Sequence, residues 1–269
     1  MTISINGSSG VSGIQHSRSD SNVNFNRISS GQRINSGADD AAGLAISNRM
    51  ATQLGGLTTS IRNASDGVSL VQVESGALSS ITQNLQRIRE LSLQAGNGTL
   101  NDSDRQALQQ ETDQLLESTN SILETSNFNG VQLLNEDTTQ QFQTGPNVSD
   151  TISIEGKNIQ EALKNEGLFG INLSTQTGAS AALDTLDNSL DIVSERSSEL
   201  GAVANRFDST INNLQESRIN TAEAKSRISD ADTAKEASEL AAKLIQNQAQ
   251  IAIQVQANGN EGLILQLLP

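Results

Sequence analysis

The feature that most limits what this chain can become is an apolar rhythm in its last third. It runs Leu183, Leu186, Leu190, Val193, Ser197, Leu200, Ala204, Phe207, Ile211 and Leu214, in alternating steps of three and four. A repeat averaging 3.5 residues keeps one stripe of a helix turned toward a partner, which suits a long helix packed on other helices. A second seam runs Met50, Leu54, Leu57, Ile61, Ala64, Val68 and Val71. It resumes as Leu78, Ile81, Leu85 and Ile88 after a change of phase near Glu74. Two such seams far apart in sequence predict a mainly α chain, an elongated antiparallel helical rod or coiled-coil bundle closed by its own ends. A rod has surface and little cleft, so the pattern favours assembly over catalysis.

Composition excludes several alternatives. With 31 acidic and 17 basic side chains the formal charge is −14, which disfavours nucleic acid and anionic membrane surfaces. There is no Cys, so neither a disulfide frame nor a thiolate metal site can form. Trp and Tyr are absent and Phe occurs five times, too few aromatic residues for a large core around a deep pocket. His16 stands alone, which rules out a His-based triad or a multi-histidine metal site. Asp102-Ser103-Asp104 and Asp230-Ala231-Asp232 lack the Gly and distal Glu of a calcium loop, and helix capping accounts for them better. No Gly-rich phosphate loop follows a strand. The chain therefore reads as non-enzymatic, with no cofactor and no metal. No apolar run of about 18 residues appears, and the first 20 residues lack the basic and apolar regions of a Sec-type signal peptide.

Along the chain, residues 1–30 are rich in Ser, Asn and Gly with only a weak helical face. Asp39-Asp40 precede a helix from about Ala41 to about Ala95, roughly 80 Å at 1.5 Å per residue. A second helix, capped by Asp102 or Ser103, reaches about Glu124, with Leu108, Leu115 and Ile122 on its face and Thr112 and Thr119 between them. Asn127–Gly130 is a turn before the short apolar run Val131–Leu134. Alternation in Gln140–Thr144 and Thr151–Ile154, around Gly145-Pro146-Asn147, predicts a small β-hairpin. A loop then leads to the long helix starting near Ala181. Ser229-Asp230 is the expected cap of a final helix ending near Ala257, where Gly259 and Gly262 interrupt it before Leu263–Leu268. That last helix carries apolar residues on more than one face, more than one neighbour can cover. Repeated heterologous contacts through it would build a helical filament.

The stretch RISSGQRINSGADDAAGLAISNRM from Arg27 resembles the signature of the bacterial flagellins. So do RNASDGVSLVQVESGALSSITQNLQRIRELSLQA at 62–95, SNFNGVQLL at 126–134, LGAVANRFDSTINNL at 200–214 and AKSRISDADTAKEASELAAKLIQNQA at 224–249. The resemblance implies a short flagellin holding the inner-core and rod domains: terminal helices forming an inner core, and a helical rod with a β-hairpin around it. It implies 1–36 as the N-terminal inner-core segment, 37–180 as the N-terminal part of the rod with the hairpin near 140–154, 181–229 as the C-terminal rod helix, and 230–269 as the C-terminal inner-core helix. The implied function is a structural subunit polymerising into the flagellar filament for motility, the alternative being a hook–filament junction protein. Leu240, Leu244, Ile245, Ile251, Val255, Leu263, Leu265 and Leu268 are the inner-core assembly candidates. Arg87, Leu91 and Glu111 match positions through which a host Toll-like receptor senses some members, or through which subunits meet axially. Implied partners are other copies of the chain, filament cap and hook-associated proteins, an export chaperone and the flagellar export apparatus. The place implied is the extracellular flagellum, reached without a cleaved signal peptide. Thr233 stands where the family usually has an aromatic residue.

Overall fold

The computed structural model describes residue 19 and residues 21–266, with side chains through 256. Among the described residues the helices are α1 (21–30), α2 (Ala41–Ala95), α3 (Asp102–Thr125), α4 (Ile159–Asn165), α5 (Gln176–Ser229) and α6 (Thr233–Gln266). Strands β1 (Asn127–Phe128) and β2 (Val131–Gln132) form one antiparallel hairpin, and β3 (Gln140–Gln143) and β4 (Thr151–Ile154) form another. The chain divides into two compact units. One is Gly55–Arg218, and the other joins the residues up to Leu54 to those from Ile219 onward.

In the unit Gly55–Arg218, α2 buries a seam of Leu57, Ser60, Ala64, Gly67, Val71, Glu74, Leu78, Ile81, Leu85, Ile88, Ser92 and Ala95, with Leu70 and Leu91 buried beside it. These steps of three and four never slip. The expected change of phase at Glu74 is absent, because this carboxylate occupies the seam itself. On α5 the buried positions of this unit are Ala179, Ala182, Leu186, Ser189, Val193, Arg196, Leu200, Phe207 and Leu214. Ser189 and Arg196 therefore point inward, where the apolar pattern suggested their neighbours. Leu190 is only half-buried and Ser197 is exposed. Arg89 meets Asp187, Glu74 meets Arg196, and Gly67 faces Phe207, so α2 and α5 run antiparallel. A Cβ on Gly67 would stand 2.5 Å from the Phe207 ring. Glycine there gives the buried ring room against the helix, and Phe142 of β3 meets that ring edge-on with centroids 5.6 Å apart.

Helix α3 returns antiparallel to α2. Its N-cap is Asn101, just before the expected residues, in a capping box with Asp104. Thr112, Leu116, Thr119 and Leu123 face inward, while Leu108, Leu115 and Ile122 are half-buried. Arg105 holds the preceding turn by donating to the carbonyls of Ala95, Asn97 and Leu100 at 2.8–3.0 Å. The β1–β2 turn uses Asn129 and Gly130 at φ 51° and 82°, the left-handed pair a two-residue hairpin favours. The β3–β4 hairpin lies where the alternation placed it, with Gln140 opposite Ile154 and Gln143 opposite Thr151. Its Ile152 and Ile154 are buried while Thr151 and Ser153 face out. The connection expected to be a loop instead contains α4 and a turn of 3-10 helix at Leu168–Gly170, which bury Ile159, Leu163 and Leu168. Helix α5 begins at Gln176, several residues before Ala181, with Thr175 Oγ1 accepting from Gly178 N–H at 3.1 Å.

In the unit made of the chain's two ends, Gly31–Arg33 and Ser229–Ala231 are joined by backbone bonds. Arg33 N–H donates to Ser229 O at 2.7 Å and Ala231 N–H to Gly31 O at 3.0 Å. The Arg33 guanidinium also donates to Ile228 O at 2.7 Å, capping the end of α5. Asp40 Oδ1 accepts from Gly43 N–H at 2.8 Å and opens α2. Asp39 accepts from the hydroxyl and the N–H of Ser36 and the N–H of Asn35; the hydroxyl bond above all holds its carboxyl below the usual range.

Candidate assembly and contact surfaces

Helix α6 starts at Thr233 because Asp232 Oδ1 accepts from the N–H groups of Ala234 and Lys235, both at 3.1 Å. The cap therefore falls after the expected Ser229-Asp230, and Asp230 is instead bridged to Gln32. The helix also continues to Gln266, past Gly259 and Gly262, rather than ending near Ala257.

The side of α6 that meets α1 is polar. Glu236 and Asn247 are buried and Lys243 is half-buried. Arg27 donates to Glu236 at 3.4 Å, Lys243 to Asn24 at 3.2 Å, and Asn247 to Ser21 at 3.3 Å. Apart from Leu240, the apolar residues lie elsewhere on the helix. Leu244, Ile251 and Val255, spaced seven and four apart, share one exposed face. Ile245, 67% exposed, and Ile253 carry apolar surface around to other sides. Leu240 is half-buried. The side chains of Leu263 and Leu265, and the residues Leu268 and His16, lie outside what is described. Helix α1 adds exposed Val23 and Phe25, which the sequence showed only as part of a weak face.

Of the trio Arg87, Leu91 and Glu111, two come together at the surface. Arg87 reaches Glu111 of α3 at 2.7 Å and Glu90 at 3.1 Å, and the bonds to Glu111 and then Glu90 raise its pKa further. Leu91 is 1% exposed and belongs to the core between helices, so it is not presented beside Arg87. The reason is angular: Leu91 lies next to the seam residues Ile88 and Ser92, while Arg87 faces away. Arg89 pairs with Asp187 of α5 at 2.7 Å, so neighbouring charges tie α2 to a different helix on each side.

Sequence reasoning missed the buried Glu74–Arg196 pair, 2.7 Å apart. Burial pushes the Glu74 carboxyl above its ordinary value, against the opposing pull of Arg196. Glu199 and then Lys157 carry the charge network outward to the surface. Reading charge opposite charge on two antiparallel seams was the available signal.

Nothing in the described residues offers a reacting centre. No group of His, Cys, Asp and Glu is arranged to hold a metal ion, and no helix is long and apolar enough to cross a membrane. A groove of about 680 Å³ between α3 and α4 is lined by residues that include Asn120, Glu124, Gln160 and Lys164. Its amides and carboxylate bond to one another: Asn120 donates to Glu124 at 2.8 Å, and Gln160 to Asn120 at 3.1 Å.

Comparison with known proteins agrees with this arrangement. The family models for the bacterial flagellin N-terminal and C-terminal helical regions match residues 5–139 and 183–268. A flagellin of Halalkalibacterium halodurans is 41% identical over 90% of this chain and 89% of its own length. A flagellin of Bacillus subtilis is 38% identical over 95% of each. Among solved structures, Bacillus cereus flagellin superposes with TM-score 0.52 at 29% identity, over 57% of this chain and 88% of that one. A putative flagellar hook-associated protein of Vibrio parahaemolyticus reaches TM-score 0.60 over 71% of this chain and 100% of its own. At 16% identity that likeness shows the fold alone.

Proposed function

The chain belongs to the bacterial flagellin family and is a structural, non-enzymatic subunit that polymerises into the flagellar filament, and from that premise we propose which of its surfaces make the polymer. Residues 1–36 and 230–269 form the inner core, and 37–180 with 181–229 form the shell around it. Leu240, Leu244, Ile245, Ile251, Val255, Leu263, Leu265 and Leu268 supply the inner contacts between copies. One observation carries this reading: α6 turns its polar residues toward α1 and leaves Leu244, Ile245, Ile251 and Val255 in water. Apolar surface on several sides of a helix asks for more neighbours than one chain provides. A heterologous contact repeated along an axis gives a helical polymer.

The remaining partners follow from the family. Cap and hook-associated proteins bound the filament, and an export chaperone and the flagellar export apparatus deliver the chain outside the cell without a cleaved signal peptide. A host Toll-like receptor, or an axial neighbour, meets the Arg87–Glu111 pair, with Leu91 supporting that surface from beneath.

The test is elongation of short filament seeds, followed by light scattering and electron microscopy. The full chain extends seeds, whereas a chain ending at Ile228 and the triple variant Leu244→Ser, Ile251→Ser, Val255→Ser do not. Equal growth by the triple variant would remove the proposed contacts. A full chain that never elongates would return the junction-protein alternative to first place.

A further inference from the structure

The contact between α1 and α6 has an unusual composition. Ser21, Asn24 and Arg27, spaced three apart on α1, meet Asn247, Lys243 and Glu236 on α6 in antiparallel order. Asn24 is 2% exposed, and Asn247 and Glu236 are buried, so these rungs lie inside the contact rather than at its rim. The apolar residues of the same helices, Val23, Phe25, Leu244 and Ile251, are exposed. An interface selected only for strength would have the opposite distribution. Moreover, Asn24 Nδ2, Arg27 Nε, Asn247 Oδ1 and Glu236 Oε2 are buried with no hydrogen-bond partner among the described residues. Incompletely satisfied polar groups contribute little net stability. They do make this alignment better than one slid a turn so that Leu240 and Ile251 enter the rungs, because that slip leaves still more of them unmatched, as a single buried Asn does in a coiled coil.

We propose that Asn24–Lys243, with Ser21–Asn247 and Arg27–Glu236 on either side, is the register lock of the α1–α6 pair and thereby determines which composite face the subunit presents to its neighbours in the filament. Sliding α6 by one turn in one direction keeps a polar partner, Asn247, for Asn24 but sets Arg27 against Leu240 and Ser21 against Ile251, burying polar atoms on apolar side chains. The same slide changes which residues of α6 stand beside Val23 and Phe25. The lock acts on alignment, and the exposed apolar residues supply the attraction. The inference rests on the reading that α6 contacts other copies.

The chain has no Cys, so paired cysteines report alignment without background. The in-register reporter is Ser21→Cys with Asn247→Cys, and the offset reporter is Ser21→Cys with Ile251→Cys. Each is placed in the full chain, alone or with Asn24→Leu and Lys243→Leu, and doped at low ratio into unsubstituted subunits growing on seeds. With the native pair kept, the in-register reporter cross-links and the offset reporter does not. With Asn24→Leu and Lys243→Leu, the in-register yield falls at least fivefold and the offset yield rises. An in-register yield that stays the same overturns the proposal. So does exclusion of the Leu variants from filaments that admit the reporter chain, because the rungs would then supply stability rather than alignment. Growth of the unsubstituted majority tests the assembly reading separately, so failure of that reading is distinguishable from failure of the lock.

Discussion

Helix α5 from Leu186 to Leu214 and helix α6 from Leu240 to Val255 both carry recurring apolar residues, and the fold treats them in opposite ways. On α5 Leu186, Val193, Leu200 and Phe207 are fully enclosed by their own chain, against α2 and the β3–β4 hairpin. On α6 Leu244, Ile251 and Val255 remain in water, and the inward positions are mostly polar, with Glu236, Lys243 and Asn247 beside the half-buried Leu240. The difference separates a unit that satisfies its hydrophobic demand internally from one that leaves apolar side chains open, the face proposed above to meet other copies. It also separates two uses of buried charge. Glu74 and Arg196 sit in a mostly apolar seam with close geometry, whereas the polar rungs of α6 include buried groups left without a hydrogen-bond partner.

The largest effects should come from the enclosed side of the comparison. Phe207→Ala removes a ring packed between Gly67 and Phe142 and should cost about 3–5 kcal/mol in denaturant unfolding of the soluble chain. A loss under about 1 kcal/mol would mean that this core is not tightly packed. Arg196→Leu alone leaves Glu74 buried without its partner and should cost about 3–5 kcal/mol, while the double change Glu74→Leu, Arg196→Leu should recover most of that loss. If the double variant is as unstable as the single one, the pair does more than match charge for charge.

Gly67→Ala should destabilise by about 1–3 kcal/mol despite the better helix propensity of Ala, because its methyl meets the Phe207 ring. Phe207→Leu in the same chain should relieve the clash, and thermal unfolding of the two variants checks this. The pH dependence of stability has two opposing parts. Glu74 has a raised pKa in the fold, so its contribution is complete below the unfolded value and is lost as pH rises through the folded one. Glu199 has a lowered pKa, chiefly through its bond to Lys157, so its contribution is present above the unfolded value and is lost as pH falls through the folded one. Accordingly, Glu74→Gln should remove the decline in stability with rising pH just above the ordinary glutamate value and leave the acid limb in place. Urea midpoints at a series of pH values read both limbs. The smallest effect belongs to the open face: Leu244→Ser with Ile251→Ser should move the unfolding of the soluble chain by no more than about 0.5 kcal/mol. A larger loss would show that the chain itself already covers these residues.

Much of this was legible in the residues. Strict three-and-four spacing marks a helix seam whatever its partner, so α2, α3 and α5 could be read along most of their lengths. The β3–β4 hairpin followed from alternation about Gly145-Pro146. What escaped was whatever broke the equation of buried with apolar. Glu74 looked like a change of phase because a lone carboxylate has no reason to be buried until Arg196 is known to lie opposite. Leu91 looked presentable beside Arg87 because helix spacing relates neighbours without saying which side faces the core. Helix α4 was too short to show a period, and its Ile159 and Leu163 became core only once α3 and α5 supplied walls.

The order of residues alone determined that the chain would be helical, that its helices would pair along seams, that it had no chemistry for catalysis, and that its two ends carried the signature of one family. Those properties are local or compositional, set by periodicity, by capping and by which side chains are present. Only the tertiary structure decided that Glu74 and Arg196 share a seam, that Leu91 faces inward, and that α6 meets α1 through polar rungs with its apolar residues outward. Each of those depends on what stands opposite a residue, and the side facing the core is fixed by partners that are remote in sequence.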